Sequence, residues 1–227
     1  MLRAVVFDFN GVLVDDEPLH LAMLQRVLAE EGMEVSRDEY YGRLLGLNDR
    51  STFARVLADR GRPADAGRLA RLVARKSAYY LQHVRRHGHP FFPGAAELVV
   101  EAAGRGWVLA LVSGALSEEV HGALVAAGIA DRFKVVIGAE DVPEGKPDPA
   151  GYLAAIAGMN SRPPLPERLI HPHEVLAVED SPTGLAAAAA AGFATLALAH
   201  SYPAEKLAAA GAVRPSIGGL GAEGLQA

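Results

Sequence analysis

The stretch VLAVEDSPTGLAAAAAAG, residues 175–192, decides the fold. Val175 to Val178 is a short, almost uninterrupted apolar run of the kind that forms a strand buried on both faces, and Pro182 to Ala191 is an alanine-rich helical run. Between them, Glu179 and Asp180 fall at the carboxyl end of the strand, the edge at which open parallel sheets bind their ligands. Two adjacent carboxylates in such a place invite a cation, because hard Mg2+ takes oxygen ligands and relieves their mutual repulsion.

The same unit recurs on either side. Leu2 to Phe7, Val108 to Val112, Val135 to Ile137 and Thr195 to Leu198 are further buried-strand candidates, and Gly94 to Ala103, Ser117 to Ala127 and Pro149 to Ala157 are helical. Alternating strand and helix predicts an α/β fold, a Rossmann-like doubly wound parallel sheet with helices on both faces. The uncharged run from Ser181 to Ala204 is long enough to span a bilayer. Its alanine content, Gly184 and Gly192, and the bracketing Pro182 and Pro203 predict helix, turn and strand instead.

The alternation breaks once. Asp16 to Gly88, 73 residues, shows no convincing strand and has helical patterns at Leu19 to Glu30, Ser51 to Arg60 and Ala66 to His83. That is too long for a crossover and too structured for a loop. It predicts an inserted all-helical cap domain, residues 16–88, within a core of residues 1–15 and 89–227. The cap holds 13 Lys+Arg against 10 Asp+Glu, so the chain's net charge of −5 averages a cap of +3 and a core of −8.

A mildly acidic chain has no global attraction for nucleic acid or an anionic membrane, so neither is expected as a partner and a small molecule is. The 227 residues include no cysteine, which excludes disulfides, a thiolate nucleophile and cysteine-based zinc sites. With no apolar leader before Asp8, the expected location is the cytoplasm, and the expected functional unit is a monomer or weak homodimer.

Three more segments carry chemistry. The first strand ends in FDFNG, residues 7–11, placing Asp8 where ligands bind. The second long strand runs into LVSGA, where Ser113 and the backbone around Gly114 can face an anion. The EGKPDP segment presents Lys146 on a rigid loop ahead of a helix. Together these make a phosphoryl-transfer site: Asp8 and Asp180 hold Mg2+, Ser113 and Lys146 bind phosphate oxygens, and Asp8 attacks phosphorus to form an aspartyl-phosphate. The pairs His87/His89 and His171/His173 lack metal-site spacing and are read as loop residues.

In order and content these segments resemble the haloacid dehalogenase-like superfamily, from Val5 to Leu198. The cap position resembles the helical-cap subclass that includes beta-phosphoglucomutase and many sugar-phosphate phosphatases. The resemblance implies Mg2+ dependence, Asp8 as nucleophile, Glu179 and Asp180 at the metal, and the main-chain carbonyl of residue 10 as a further ligand. It also implies that His20, Arg50 and Lys76 contact substrate alongside Ser113, Gly114 and Lys146. The implied activity is hydrolysis of a phosphoric monoester on a small phosphorylated metabolite, a sugar phosphate first among them. A phosphohexomutase of the beta-phosphoglucomutase kind is the alternative within enzymes.

One residue departs from the pattern. The family's phosphatases and mutases usually carry a second Asp two positions after the nucleophile as general acid and base, and here that residue is Asn10. An amide can hydrogen-bond a leaving oxygen but can neither protonate it nor deprotonate water, help typically worth roughly 10²–10⁴-fold. Asp15, Asp16, Glu17 or His20 could substitute; the change could be an introduced one that traps a complex; or the chain could be a weakly active, phospholigand-binding pseudoenzyme.

Overall fold

The structure, a computed structural model, describes residues 1–226. These form two compact units, residues 1–15 with the chain from Pro90 onward, and Asp16–His89. The chain opens with strand β1 (Ala4–Phe7) and then enters the helical unit: α1 (Glu17–Glu30), a short turn α2 (Arg37–Glu39), α3 (Asp49–Asp59) and α4 (Ala66–His87). It resumes with α5 (Ala95–Gly104), β2 (Val108–Val112), α6 (Ser117–Ala126), β3 (Phe133–Ile137), α7 (Ala150–Ser161), β4 (Val175–Glu179), α8 (Pro182–Ala190), β5 (Ala194–Leu198) and β6 (Ala212–Arg214).

The strands form one parallel sheet in the order β3-β2-β1-β4-β5-β6. β1 is central, with Ala4 in register with both Val108 and Val175. Alternation along β1 feeds two cores. Val5 and Phe7 pack with Leu98 and Val99 of α5 and Val120 and Leu124 of α6, whereas Ala4 and Val6 pack with Tyr152 and Met159 of α7 and Ala187 and Ala188 of α8. A strand covered on both faces has no position for a solvated side chain, which is why its sequence is continuously apolar.

The run from Ser181 to Ala204 resolves into α8, a turn and β5, and among the described residues no helix is long and apolar enough to cross a membrane. Two elements differ from expectation. β6, in the glycine-rich tail, is not among the strands that the sequence predicts, and at three residues it exists through its pairing with β5, Leu196 opposite Ala212, which no local periodicity could signal. α4 runs four residues beyond His83, where Arg85, Arg86 and His87 place positive charge at the helix's negative end.

The helical unit has its own core. Leu24, Val27 and Leu28 of α1 meet Phe53, Val56 and Leu57 of α3 and Leu69 and Leu72 of α4, so the insertion buries its own apolar stripes.

Candidate active site

The carboxyl ends of β1, β2 and β4 converge because the crossovers change direction beside β1, the switch point at which such sheets form a crevice. Asp8 follows β1 and its backbone N–H donates to Val178 O at 2.9 Å, fixing it next to the end of β4. Beyond it the chain doubles back: the N–H groups of Leu13 and Val14 both donate to Phe9 O. Gly11 makes this turn at φ 75°, and a Cβ there would lie 1.9 Å from Asp180 Oδ2, so only glycine lets the loop approach that carboxylate. His200, after β5, holds the same loop: its Nδ1 donates to Gly11 O at 2.7 Å, since Nε2 is occupied by the Ile217 N–H at 3.2 Å.

Lys146 binds the carboxylates together. Its Nζ donates to Asp8 Oδ1 at 2.7 Å, Glu179 Oε1 at 2.5 Å and Val112 O at 3.2 Å. Glu179, fully buried, also accepts from Tyr152 OH at 2.6 Å and, on its other oxygen, from Ser181 Oγ and the Asp180 N–H at 3.2 Å each. Gly184 in the first turn of α8 completes the enclosure, since a Cβ there would stand 2.0 Å from the Glu179 carboxyl carbon. Ser113 accepts the Ala115 N–H at 2.9 Å and donates to Asn10 Oδ1 at 3.3 Å.

Burial pushes the Asp8 carboxyl up to about 7; Lys146 opposes this and Glu179 adds to it. Burial alone would push the Lys146 ammonium down, but Asp8 and Glu179 hold it above its ordinary value. Burial and the neighbouring carboxylates push the Tyr152 phenol well up, so it stays a donor. Buried carboxylates outnumber the one cation among them, a balance that further positive charge would relieve. Asp8, Glu179 and Asp180 each offer an oxygen, all within 4.8 Å of one another. An all-oxygen, buried donor set fits a hard divalent cation.

The helical unit gathers a second polar cluster. Lys76 Nζ stands 2.6 Å from both His20 Nδ1 and Asp49 Oδ1; His20 Nε2 stands 3.2 Å from Asp16 Oδ2, which also accepts from Tyr80 OH at 2.7 Å. A contact between an ammonium and a ring nitrogen needs a lone pair on the ring, so His20 is neutral at Nδ1 and carries its proton on Nε2 toward Asp16.

The expected site residues thus fall into two groups. Asp8, Lys146, Glu179 and Asp180 meet in one cluster with Asn10 and Ser113 beside it, and Gly114 is an exposed bend after Ser113. His20 and Lys76 meet in the helical unit, while Arg50 is an exposed residue in the first turn of α3. Asp16, weighed above as a substitute acid, lies in the helical cluster, while Tyr152, His200, Asp49 and Tyr80 were not among the expected site residues. Tyr152 had a signal, because a tyrosine on the apolar face of a helix must find a partner for its hydroxyl. The others depend on long-range contacts.

A doubly wound sheet with a buried acid–lysine cluster at its carboxyl edge is the arrangement of a small-molecule enzyme of the α/β class. The sequence profile of the haloacid dehalogenase-like hydrolases matches residues 2–192, and the chain belongs to that family of enzymes. A phosphoglycolate phosphatase of Cereibacter sphaeroides is 32% identical over 205 residues, covering 88% of this chain and 87% of that one. The crystal structure of CbbY from Rhodobacter sphaeroides with phosphate superposes with a TM-score of 0.86 at 26% identity, covering 100% of both chains. The same protein is also solved as an aspartate-to-asparagine mutant with xylulose-1,5-bisphosphate. Beta-phosphoglucomutase of Clostridium difficile shares the fold, with a TM-score of 0.85 at 21% identity over 100% of this chain and 96% of that one.

Proposed function

We propose that the chain is a Mg2+-dependent phosphatase that removes the phosphoryl group of a small phosphorylated metabolite through an aspartyl-phosphate on Asp8. The observation that carries this is the Asp8–Lys146 contact of 2.7 Å within a buried carboxylate trio at the sheet's carboxyl edge. Relatives named as a phosphoglycolate phosphatase, and a CbbY structure holding phosphate, support the same reaction class and make sugar and short-acid phosphates the first substrates to test.

In this reading Asp8, Asp180, Glu179 and the carbonyl of Asn10 hold Mg2+, which supplies positive charge to the phosphoryl oxygens. An Asp8 carboxylate oxygen forms a bond to phosphorus as the bond to the leaving oxygen breaks, and water then attacks phosphorus and frees Asp8. Lys146 and Ser113, with the backbone at Gly114, orient the phosphoryl group. Fixed donors require no reorganisation as charge shifts, and so favour the transition state. His20, Arg50 and Lys76 are proposed to bind the remainder of the substrate. Phosphate release from a panel of phosphorylated metabolites, with Mg2+ and with EDTA, tests the proposal. Release that Mg2+ supports and Asp8→Asn abolishes is expected, and a chain inactive on every phosphate compound contradicts it.

A further inference from the structure

The last turn of α4 places two histidines together. The sequence pairs His87 with His89 across Gly88 and reads both as loop residues, but α4 runs through His87. Its neighbour on the helix surface is therefore His83, four positions back on the same face. Val84 between them is buried, while His83 and His87 are both exposed. Their rings lie side by side, with centroids 4.5 Å apart and planes inclined at 40°. Among the described residues neither ring takes part in a hydrogen bond or an ion pair, so neither nitrogen lone pair is spent on another group.

The separation of the rings selects a geometry. A ring nitrogen bound to a metal ion at about 2.0–2.1 Å puts the ring centroid about 3.2 Å from that ion. Two rings at adjacent corners of a square or an octahedron, about 90° apart at the ion, then have centroids about 4.5 Å apart, whereas at two corners of a tetrahedron the figure is about 5.2 Å. The spacing of His83 and His87 matches the first arrangement. Square-planar and tetragonal sites built from nitrogen and oxygen donors are those of Cu2+ and Ni2+. His171 and His173, the other close pair outside the helical unit, stand two positions apart with rings inclined at 8° and centroids 5.7 Å apart, beyond either spacing.

The surroundings favour the same class of ion. Arg85 and Arg86, both exposed, share this last turn, so a hard cation attracted by charge alone gains nothing here. An ion held through coordinate bonds to imidazole depends less on local charge, and the carbonyls at the helix's end carry partial negative charge. Among the described residues the one group of three or more acidic or histidine ligands is Asp8, Glu179 and Asp180, so at α4 the chain supplies two nitrogens and water the remaining donors.

We infer that His83 and His87 form a surface site for a divalent transition-metal ion, Cu2+ first and Ni2+ next in the usual order of affinity. The site differs in residues and in chemistry from the all-oxygen trio at the sheet's edge, which suits a hard cation. A bound ion ties two successive turns of α4 together, and because it needs both residues at helical spacing it favours the folded helical unit.

The test is titration of Cu2+ into the untagged full chain at about pH 7.5, since a ligating imidazole must be deprotonated. Mg2+ in large excess competes for oxygen donors and not for imidazole. Calorimetry reads the affinity, and electron paramagnetic resonance reads the ligand atoms. Expected is an ion with two imidazole nitrogens in its equatorial plane. His83→Gln and His87→Gln should each weaken it by at least about tenfold and leave a single nitrogen, since even groups that only orient a metal ligand typically contribute roughly 10–100-fold. His171→Gln should change nothing. On the native chain alone, substoichiometric Cu2+ should broaden the His83 and His87 ring signals in the NMR spectrum before those of any other histidine, which decides the question even where a variant fails to fold. A copper signal with fewer than two nitrogens overturns the site. So does affinity that survives either substitution, affinity lost in His171→Gln, or first broadening at another histidine.

Discussion

Two helical glycines should respond to alanine with opposite signs. Gly104, the last residue of α5, has no atom within 4 Å of where a Cβ would stand. Gly184 sits in the first turn of α8, and its Cβ would stand 2.0 Å from the Glu179 carboxyl carbon and 2.1 Å from each carboxylate oxygen. Helix propensity alone favours alanine at either by up to about 1 kcal/mol. At Gly104 nothing opposes that gain. At Gly184 the carboxylate has to move, yet it is held by Lys146, Tyr152, Ser181 and the Asp180 N–H. Losing one hydrogen bond to a charged group costs roughly 1.5–3 kcal/mol and crowding a packed core roughly 1–3, so the net change is a destabilisation of roughly 1.5–5 kcal/mol. The single tryptophan, Trp107, packs in the sheet unit, so its fluorescence in a urea titration follows that unit alone, which matters when two units need not unfold together. A Gly184→Ala midpoint at or above the native one, matching Gly104→Ala, would refute the argument that Glu179 is fixed in place.

Tyr152→Phe keeps the volume and removes one donor from Glu179 Oε1; kcat should fall roughly 10- to 100-fold with KM little changed, and an unaltered kcat would show that the phenol positions nothing. Hydrogen bonds from Arg168, with the His171 N–H and Arg3, hold Glu174 at about 2 against an ordinary 4.5. A lowered folded-state value means that its contribution to stability is complete above about 4.5 and disappears as pH falls toward 2. Glu174→Gln should therefore lower the thermal midpoint at pH 7 and match the native chain near pH 2, and a difference that persists unchanged at pH 2 would contradict this. Burial and Lys76 push the His20 imidazole down while Asp16 and Asp49 push it up, leaving it above its ordinary value, so in Lys76→Met it should titrate at still higher pH by NMR, and a downward shift would be inconsistent with the 2.6 Å contact.

The sheet was legible because a strand buried on both faces must be apolar throughout, and β1, β2, β4 and β5 are short runs of that kind between helices. β3 was recognised only over its last three residues; its half-buried Lys134 sits near the start, where the alternation of burial interrupts the apolar run. β6 was not legible, since three residues carry no period and only the partner strand defines them. Asp8, Lys146, Glu179 and Asp180 could be singled out because each follows a strand end or precedes a helix start. What sequence could not supply was Tyr152 under Glu179 and His200 on the Gly11 carbonyl, contacts spanning 27 and 189 positions. Nor could it show that His20 stands between Lys76 and Asp16, since the Lys76 contact spans 56 positions.

The central claim is that Asp8 is the nucleophile. The chain incubated with Mg2+ and acetyl phosphate, quenched in acid and examined by intact mass and peptide mapping, should carry one phosphoryl group on the peptide that contains Asp8, and Asp8→Asn should carry none. A phosphoryl group on any other residue, or phosphate release that persists in Asp8→Asn, would contradict it.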